Sequence, residues 1–189
     1  MLSESQVTVI HAGRLFDGTG SAPVVDGVVV IQRDRIEAVG VQGQLAVPAG
    51  PGISTLDFGD ATALPGLVDA HTHLVLPGDN TLPETMMRHD DGILLLQATE
   101  NTRRALFSGV TTMADMGGRN MVTFTLRNAI EMGLAVGPRL VLCGRPVTRT
   151  GGHCWYFNGE ADGPEAIRHT VRLLLKQGAD VIKVMATGG

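Results

Sequence analysis

Cysteine and aromatic residues are scarce in this chain of 189 residues: two cysteines, and 4% Phe, Trp and Tyr together. Cys143 and Cys154 form no CxxC pair, which excludes a zinc knuckle or a disulfide framework read from spacing. No apolar run approaches the ~20 residues of a membrane span. The opening "MLSESQVTVIHAG" lacks a basic segment followed by an apolar one, so no secretory leader is expected and a reducing cytoplasmic setting is. Positive charge is not in excess either. The net charge is −4 with both signs interspersed, and no basic stripe argues for nucleic acid. What remains is 43% hydrophobic and 18% charged, enough apolar material for a core. The 25 glycines are scattered rather than tracted, as suits many tight connections.

Residues 1–63 read as short strands and turns. "VTVIHAG" (7–13), "GVVVIQ" (27–32) and "DRIEAVG" (34–40) are strand-like runs, the first two joined through "DGTGSAP". Four or five such strands form a thin β-module that needs something to pack against. From residue 64 the pattern changes to strand, then helix, repeatedly. Strands are expected at 67–71, 110–115, 138–143 and 180–185, and helices at 91–108, 121–131 and beyond Asp162. On the first helix Leu94, Ala98, Thr102, Ala105 and Leu106 form the buried stripe, with Gly109 as the stop. The last helix is expected to be capped by Asp162, with Pro164 in its first turn and Glu165 completing a capping box. Ile167, Val171, Leu174 and Leu175 would form its buried stripe, and Gly178 would end it. Four β/α units in 64–189 imply a parallel α/β architecture, either an open sheet or half of a (β/α)₈ barrel of eight strands and ~250 residues.

Two residue patterns carry chemistry. In "ALPGLVDAHTHL", His71 and His73 fall on one side of a strand, and Asp69 shares their parity. At a strand's C-terminal end two neutral imidazoles can hold one metal ion. The alternative is one solvated ring beside one hydrogen-bonded ring. Lys183 lies in "DVIKVM", a run that reads as buried on both faces. An unpaired ammonium there is costly. It either finds a carboxylate, reacts as the free amine with CO₂ to give an anionic carbamate, or snorkels to solvent. His153, after two glycines in "TGGH", suits a substrate contact at the mouth or an ordinary loop residue. Trp155 and Tyr156 beside it could wall a pocket or pack beneath the loop. Asp115 ends the second barrel strand, where it could bond a ligating histidine as a supporting residue, or cap a turn before Gly117 and Gly118. Cys143, Cys154, His11, His89 and His169 read as ordinary residues.

Taken in order, "AGRLFDGTG", "VVVIQRDRIEAVG", "LPGLVDAHTHL", "GVTTMADMGG", "TGGH" and "ADVIKVMATGG" resemble the amidohydrolase superfamily of metal-dependent hydrolases. Within it they resemble the branch containing imidazolonepropionases and prolidase-like dipeptidases. The resemblance implies the N-terminal half of a TIM-like (β/α)₈ barrel, preceded by strands of a small β-sandwich that the far C-terminus completes. It implies that His71 and His73 are metal ligands and that Lys183 is carbamylated and bridges two divalent ions, zinc being the first candidate. It matches His153 to a loop histidine whose role varies across the branch; Tyr156 as a substrate contact beside His153, and Asp69 and Asp115 as supporting residues, rest on the residue reading above. It also requires two histidines and a proton-shuttling aspartate from later strands. These would come from a second polypeptide or from the C-terminal half of the same protein, the complete protein being a homo-oligomer. The expected activity is hydrolysis of an amide or related C–N bond (a dipeptide, cyclic amide or carbamate-like small molecule) by metal-activated hydroxide. A mononuclear, imidazolonepropionase-like hydrolase and a non-catalytic half-barrel partner subunit are the alternatives.

Overall fold

The computed structural model describes residues 7–188, and the chain divides into two compact units between Pro65 and Gly66. The first is a five-stranded sheet: β1 (Val7–Leu15), β2 (Val24–Gln32), β3 (Arg35–Val41), β4 (Ile53–Asp57) and β5 (Thr62–Ala63). The sheet order is β3-β2-β1-β4, with β5 also pairing to β1. β1 runs antiparallel to β2 but parallel to β4 and β5. Val9, Val28 and Val30 make its small core, covered by Leu45 and Val47 from the β3–β4 connection. Val25, Ile36, Val39, Leu56 and Phe58 stay exposed. One sheet with a thin core is what five short strands can build alone.

The second unit begins with β6 (Leu67–Thr72), a one-turn helix α1 (Pro83–Met86) and α2 (Asp91–Phe107). It continues through β7 (Val110–Asp115), α3 (Val122–Glu131), β8 (Arg139–Leu142), a 3₁₀ turn (Trp155–Phe157) and α4 (Gly163–Lys176). β6, β7 and β8 form a parallel three-stranded sheet. Asp90 caps α2 by accepting the Ile93 N–H (2.9 Å), and Leu94, Ala98 and Thr102 are its buried face. These pack with Leu74, Met113, Phe124, Leu126, Leu140, Leu142 and Phe157 into the unit's main core. Gly109, at φ +93°, turns the chain from α2 into β7. Among the described residues no helix is long and apolar enough to cross a membrane.

The fourth β/α unit departs from expectation. Residues 180–185 do not form a strand of the sheet; the Asp180 N–H bonds Leu142 O (2.8 Å) at the end of β8, and Val184 meets Val147 through one isolated parallel bridge. Two bonds flank it, Val147 N–H to Lys183 O (2.8 Å) and Met185 N–H to Val147 O (2.9 Å). The cause is local. The Leu142 N–H, which a fourth strand's carbonyl would accept, is taken by the Asp180 carboxylate (2.9 Å). Beyond it Gly144 turns left-handed, at φ +67°, and Pro146 has no N–H to offer a ladder. α4 differs too. Asp162 does not cap it, because its carboxylate accepts the Thr150 N–H (3.1 Å) and hydroxyl instead, and Glu165 pairs with Arg168 rather than closing a capping box. Of the expected stripe only Leu174 is buried, while Ile167 and Leu175 are exposed.

Candidate active site

β6 carries the two histidines to its C-terminal end, where the rings meet edge to face with centroids 5.6 Å apart. His71 is exposed and His73 half-buried. Sequence parity placed Asp69 with them, but the β6–β7 register slips by a residue between Asp69 and Thr72, and such a slip breaks strict alternation. The Asp69 carboxylate turns back onto the His71 N–H (3.2 Å).

His73 is held on three sides. Its ring stacks on Phe157, with centroids 5.7 Å apart and planes at 15°. Its Nδ1–H donates to the Gly117 carbonyl (3.2 Å), which leaves Nε2 as the unprotonated nitrogen. Glycine is required there, since a Cβ on residue 117 would lie 2.9 Å from Nδ1. Burial pushes the His73 pKa below the usual histidine range; the Gly117 bond opposes this, and the charges of His71, Lys183 and His153 lower it further. Three segments far apart in sequence therefore bring positive charge to one ring.

Lys183 is half-buried, and its charge also reaches the buried Cys143, whose thiol burial pushes up to about 12. His153 lies exposed on its loop, tied by its backbone N–H to Gly188 O (3.1 Å). Tyr156 packs edge-on against Phe157 at 4.8 Å, its hydroxyl 3.6 Å from the Cys154 sulfur. Burial raises its pKa.

Asp115 is buried but does not bond a histidine ring. Its Oδ1 accepts the Leu74 N–H (3.1 Å), and Oδ2 is buried without a hydrogen bond. Burial pushes this carboxyl up to about 7; the Leu74 bond opposes the rise, as do Thr123 and Gly117 close by.

Two imidazoles, with Nε2 available on the buried ring, are donors that suit a borderline divalent ion. Among the described residues no three His, Cys, Asp or Glu side chains stand close enough to share one ion. Phe157 and the Gly117 carbonyl escaped sequence reasoning. Gly117 and Gly118 read only as a turn, and nothing in the sequence named the ring that Gly117 approaches. Arg119 escaped as well. It joins the loop after β7 to the segment before α2 by bonds to Asp91 (2.8 Å) and to the Met87 and His89 carbonyls.

The two histidines lie at the C-terminal end of β6 in a parallel α/β unit, and residues 62–189 match the amidohydrolase family, to which the chain belongs. Ochratoxinase of Aspergillus niger is 31% identical over 98% of this chain and 43% of its own length. The crystal structure of that enzyme superposes with a TM-score of 0.83 at 27% identity, covering 98% of this chain and 48% of that one. A Xaa-Pro dipeptidase crystallised with methionine in its active site gives 0.80 at 29%, over 95% and 47%. Imidazolonepropionase of Rubrobacter xylanophilus is 47% identical over 53 residues, 27% of this chain and 13% of its own. The first two matches each cover less than half of the relative's length. They show the mixed α/β fold of amidohydrolases.

Proposed function

We infer that this chain carries half of the active site of a metal-dependent hydrolase of small-molecule amides. The observation that supports it is the gathering of His71, His73, His153 and Lys183 around the mouth formed by β6–β8. His71, His73 and Lys183, the last as its carbamate, would hold the divalent ions, zinc being the first candidate. When bound, the metals supply an activated water and polarise the scissile carbonyl.

The remaining work falls to the protein's own residues. Gly117 O fixes the His73 tautomer so that Nε2 is the nitrogen that would ligate, and the Phe157 stack sets the ring plane. Asp69 holds the backbone turn that presents His71, and Asp115 pins Leu74 directly after His73. His153 orients the substrate carbonyl and Tyr156 walls the substrate side. The leaving amine takes its proton from an aspartate outside this chain. That group, and the remaining ligands, belong to a second polypeptide or to the C-terminal half of the same protein, which assembles as a homo-oligomer. Two buried free thiols suit a reducing cytoplasm.

Metal content and turnover of the complete protein test this reading. His71→Ala and Lys183→Ala should each lose bound zinc and at least ~10³-fold in kcat. Bicarbonate should raise metal occupancy of the wild type but not of Lys183→Ala. Full activity in both variants would refute the proposal. One ion per site, unaffected by bicarbonate, would indicate a mononuclear enzyme of the imidazolonepropionase kind.

A further inference from the structure

The His73 ring is held by groups from two other loops, and those loops are tied to one another by side chains that the mechanism above leaves unused. Gly117, in the loop after β7, accepts the Nδ1 proton, and Phe157, in the loop after β8, stacks on the ring. The two supports also press on each other. A Cβ on Gly117 would lie 3.0 Å from Phe157 Cε2 as well as 2.9 Å from Nδ1. A shift of either loop therefore reaches the ring.

Asn120 makes the tie. Its Nδ2–H donates to the Asp91 carboxylate (3.0 Å), and its Oδ1 accepts the Asn158 Nδ2–H (3.1 Å). Chemistry fixes which way the amide points: a carboxylate only accepts, so Nδ2 faces Asp91 and Oδ1 is left for Asn158. Asn158 directly follows Phe157, and Asn120 stands three residues after Gly117. Both asparagines have left-handed backbones, at φ +51° and +65°, which asparagine tolerates better than most residues. Arg119 holds Asp91 in turn. It donates from Nε to Asp91 Oδ1 (2.8 Å) and from its terminal nitrogens to the Met87 and His89 carbonyls, with 12% of its side chain exposed. One polar cluster thus joins the segment leading from β6 into α2, the loop after β7 and the loop after β8. The first of these begins with His73 itself, and the other two hold its ring.

We propose that Asn120 is a positioning residue for the Nε2 nitrogen of His73, acting through Gly117 on one side and through Asn158 and Phe157 on the other. The ion that Nε2 receives rests on the hydrolase reading above; the hold on the ring is a property of the loops alone. Because its amide bonds Asp91 and Asn158 at once, Asn120 couples the loops. Removing its side chain releases both arms. Removing that of Asn158 breaks one arm and leaves Asn120 on Asp91.

The test uses the complete protein, first without metal and then with it. Asn120→Gly and Asn158→Gly remove the side chains while glycine keeps the left-handed backbone. In the metal-free protein, deuterium exchange at imidazole Cε1 is read histidine by histidine by mass spectrometry. It should quicken at His73 by at least ~3-fold in Asn120→Gly, by less in Asn158→Gly, and not at His89 or His169. The double variant should match Asn120→Gly, since both substitutions break the same contact. In the loaded protein, competition with a chelator should show zinc held ~3–10-fold more weakly in Asn120→Gly, and the visible spectrum of the cobalt-substituted protein should change. Val171→Ala, in α4 and away from the cluster, controls for lost stability and should leave every readout unchanged. Unaltered His73 exchange in both glycine variants, or an equal change in Val171→Ala, would overturn the role of Asn120. Faster exchange at His73 in a protein that takes up no zinc even as wild type would uphold the positioning role and count against the hydrolase reading.

Discussion

The β6–α2 unit and the last unit, α4 with residues 180–185, carry equally regular sequence patterns yet reach different ends. α2 is capped by its own aspartate, buries Leu94, Ala98 and Thr102, and returns the chain into β7. α4 begins at an aspartate that serves another segment, buries Leu174 alone, and leads into a segment joined to the end of β8 at Leu142 and to Val147 by one bridge rather than into a strand. The hydrophobic patterns are similar; the surroundings are not. α2 has a sheet on which to lay its stripe, whereas α4 lies where the sheet has already ended at β8. Periodicity states which face a helix can bury, and neighbouring elements decide whether it does.

The largest test of that contrast is in the cores. Leu94→Ala should cost about 3 kcal/mol, a transfer loss plus a cavity in packed surroundings. Ile167→Ala, at a partly exposed position, should cost under about 1 kcal/mol. Urea denaturation of the two variants measures the gap. Equal losses would mean that α4 is buried in solution as α2 is.

Legibility in the sequence follows the same division. The strand at 110–115 and the helix beginning at Asp91 are set by local alternation and spacing, and both could be read off directly. The strands at 53–57 and 62–63 carry no strong pattern and depend on pairing with β1, so three of the five N-terminal strands were readable as named runs. The fourth barrel strand was misread, because alternation cannot reveal that the Asp180 carboxylate takes the Leu142 N–H. The candidate site divides likewise. His71 and His73 are legible from spacing, since two residues on one strand side need no distant partner. The Phe157 stack on His73 bridges 84 positions of sequence, and only folding brings them together.

Two aspartates sharpen the comparison further, since each accepts a backbone N–H from the neighbouring segment: Asp115 from Leu74, and Asp180 from Leu142. Asp180 is part-exposed and paired with Arg127 (2.8 Å); Asp115 is buried with one oxygen unbonded. A carboxyl raised to about 7 in the folded state holds its proton more tightly than the unfolded chain does. Its stabilising contribution is complete below the unfolded value of 3.8 and is lost as pH rises through about 7. The slope is at most about 1.4 kcal/mol per pH unit, so roughly 2 kcal/mol should go between pH 5 and 7. His73, with its pKa lowered, acts in the opposite sense, losing stability as pH falls below 6.5. The difference between wild type and Asp115→Asn isolates the aspartate, because the amide keeps an oxygen for Leu74 and does not ionise. That difference should shrink or reverse as pH rises, in favour of the asparagine variant. A pH-independent difference would mean that water or a counter-charge reaches Oδ2.

The smallest expected effect concerns the two helix starts. Asp90→Ala removes the bond to the Ile93 N–H and should cost about 1 kcal/mol, with faster amide exchange confined to the first turn of α2. Asp162→Ala removes no helix bond in this structure. It instead frees Thr150, one residue before Gly151 and Gly152. Amide exchange should therefore quicken at Thr150 and through 151–153 while the first turn of α4 changes little. A double-mutant cycle with Thr150→Val should return a clear coupling with Asp162, because both substitutions disrupt one contact. Asp90 has no such partner outside its helix and should be additive with Thr150→Val. If Asp162→Ala instead loosens the first turn of α4 and shows no coupling, then Asp162 caps its helix in solution as Asp90 does. The contrast between the two β/α units would then be confined to their buried faces.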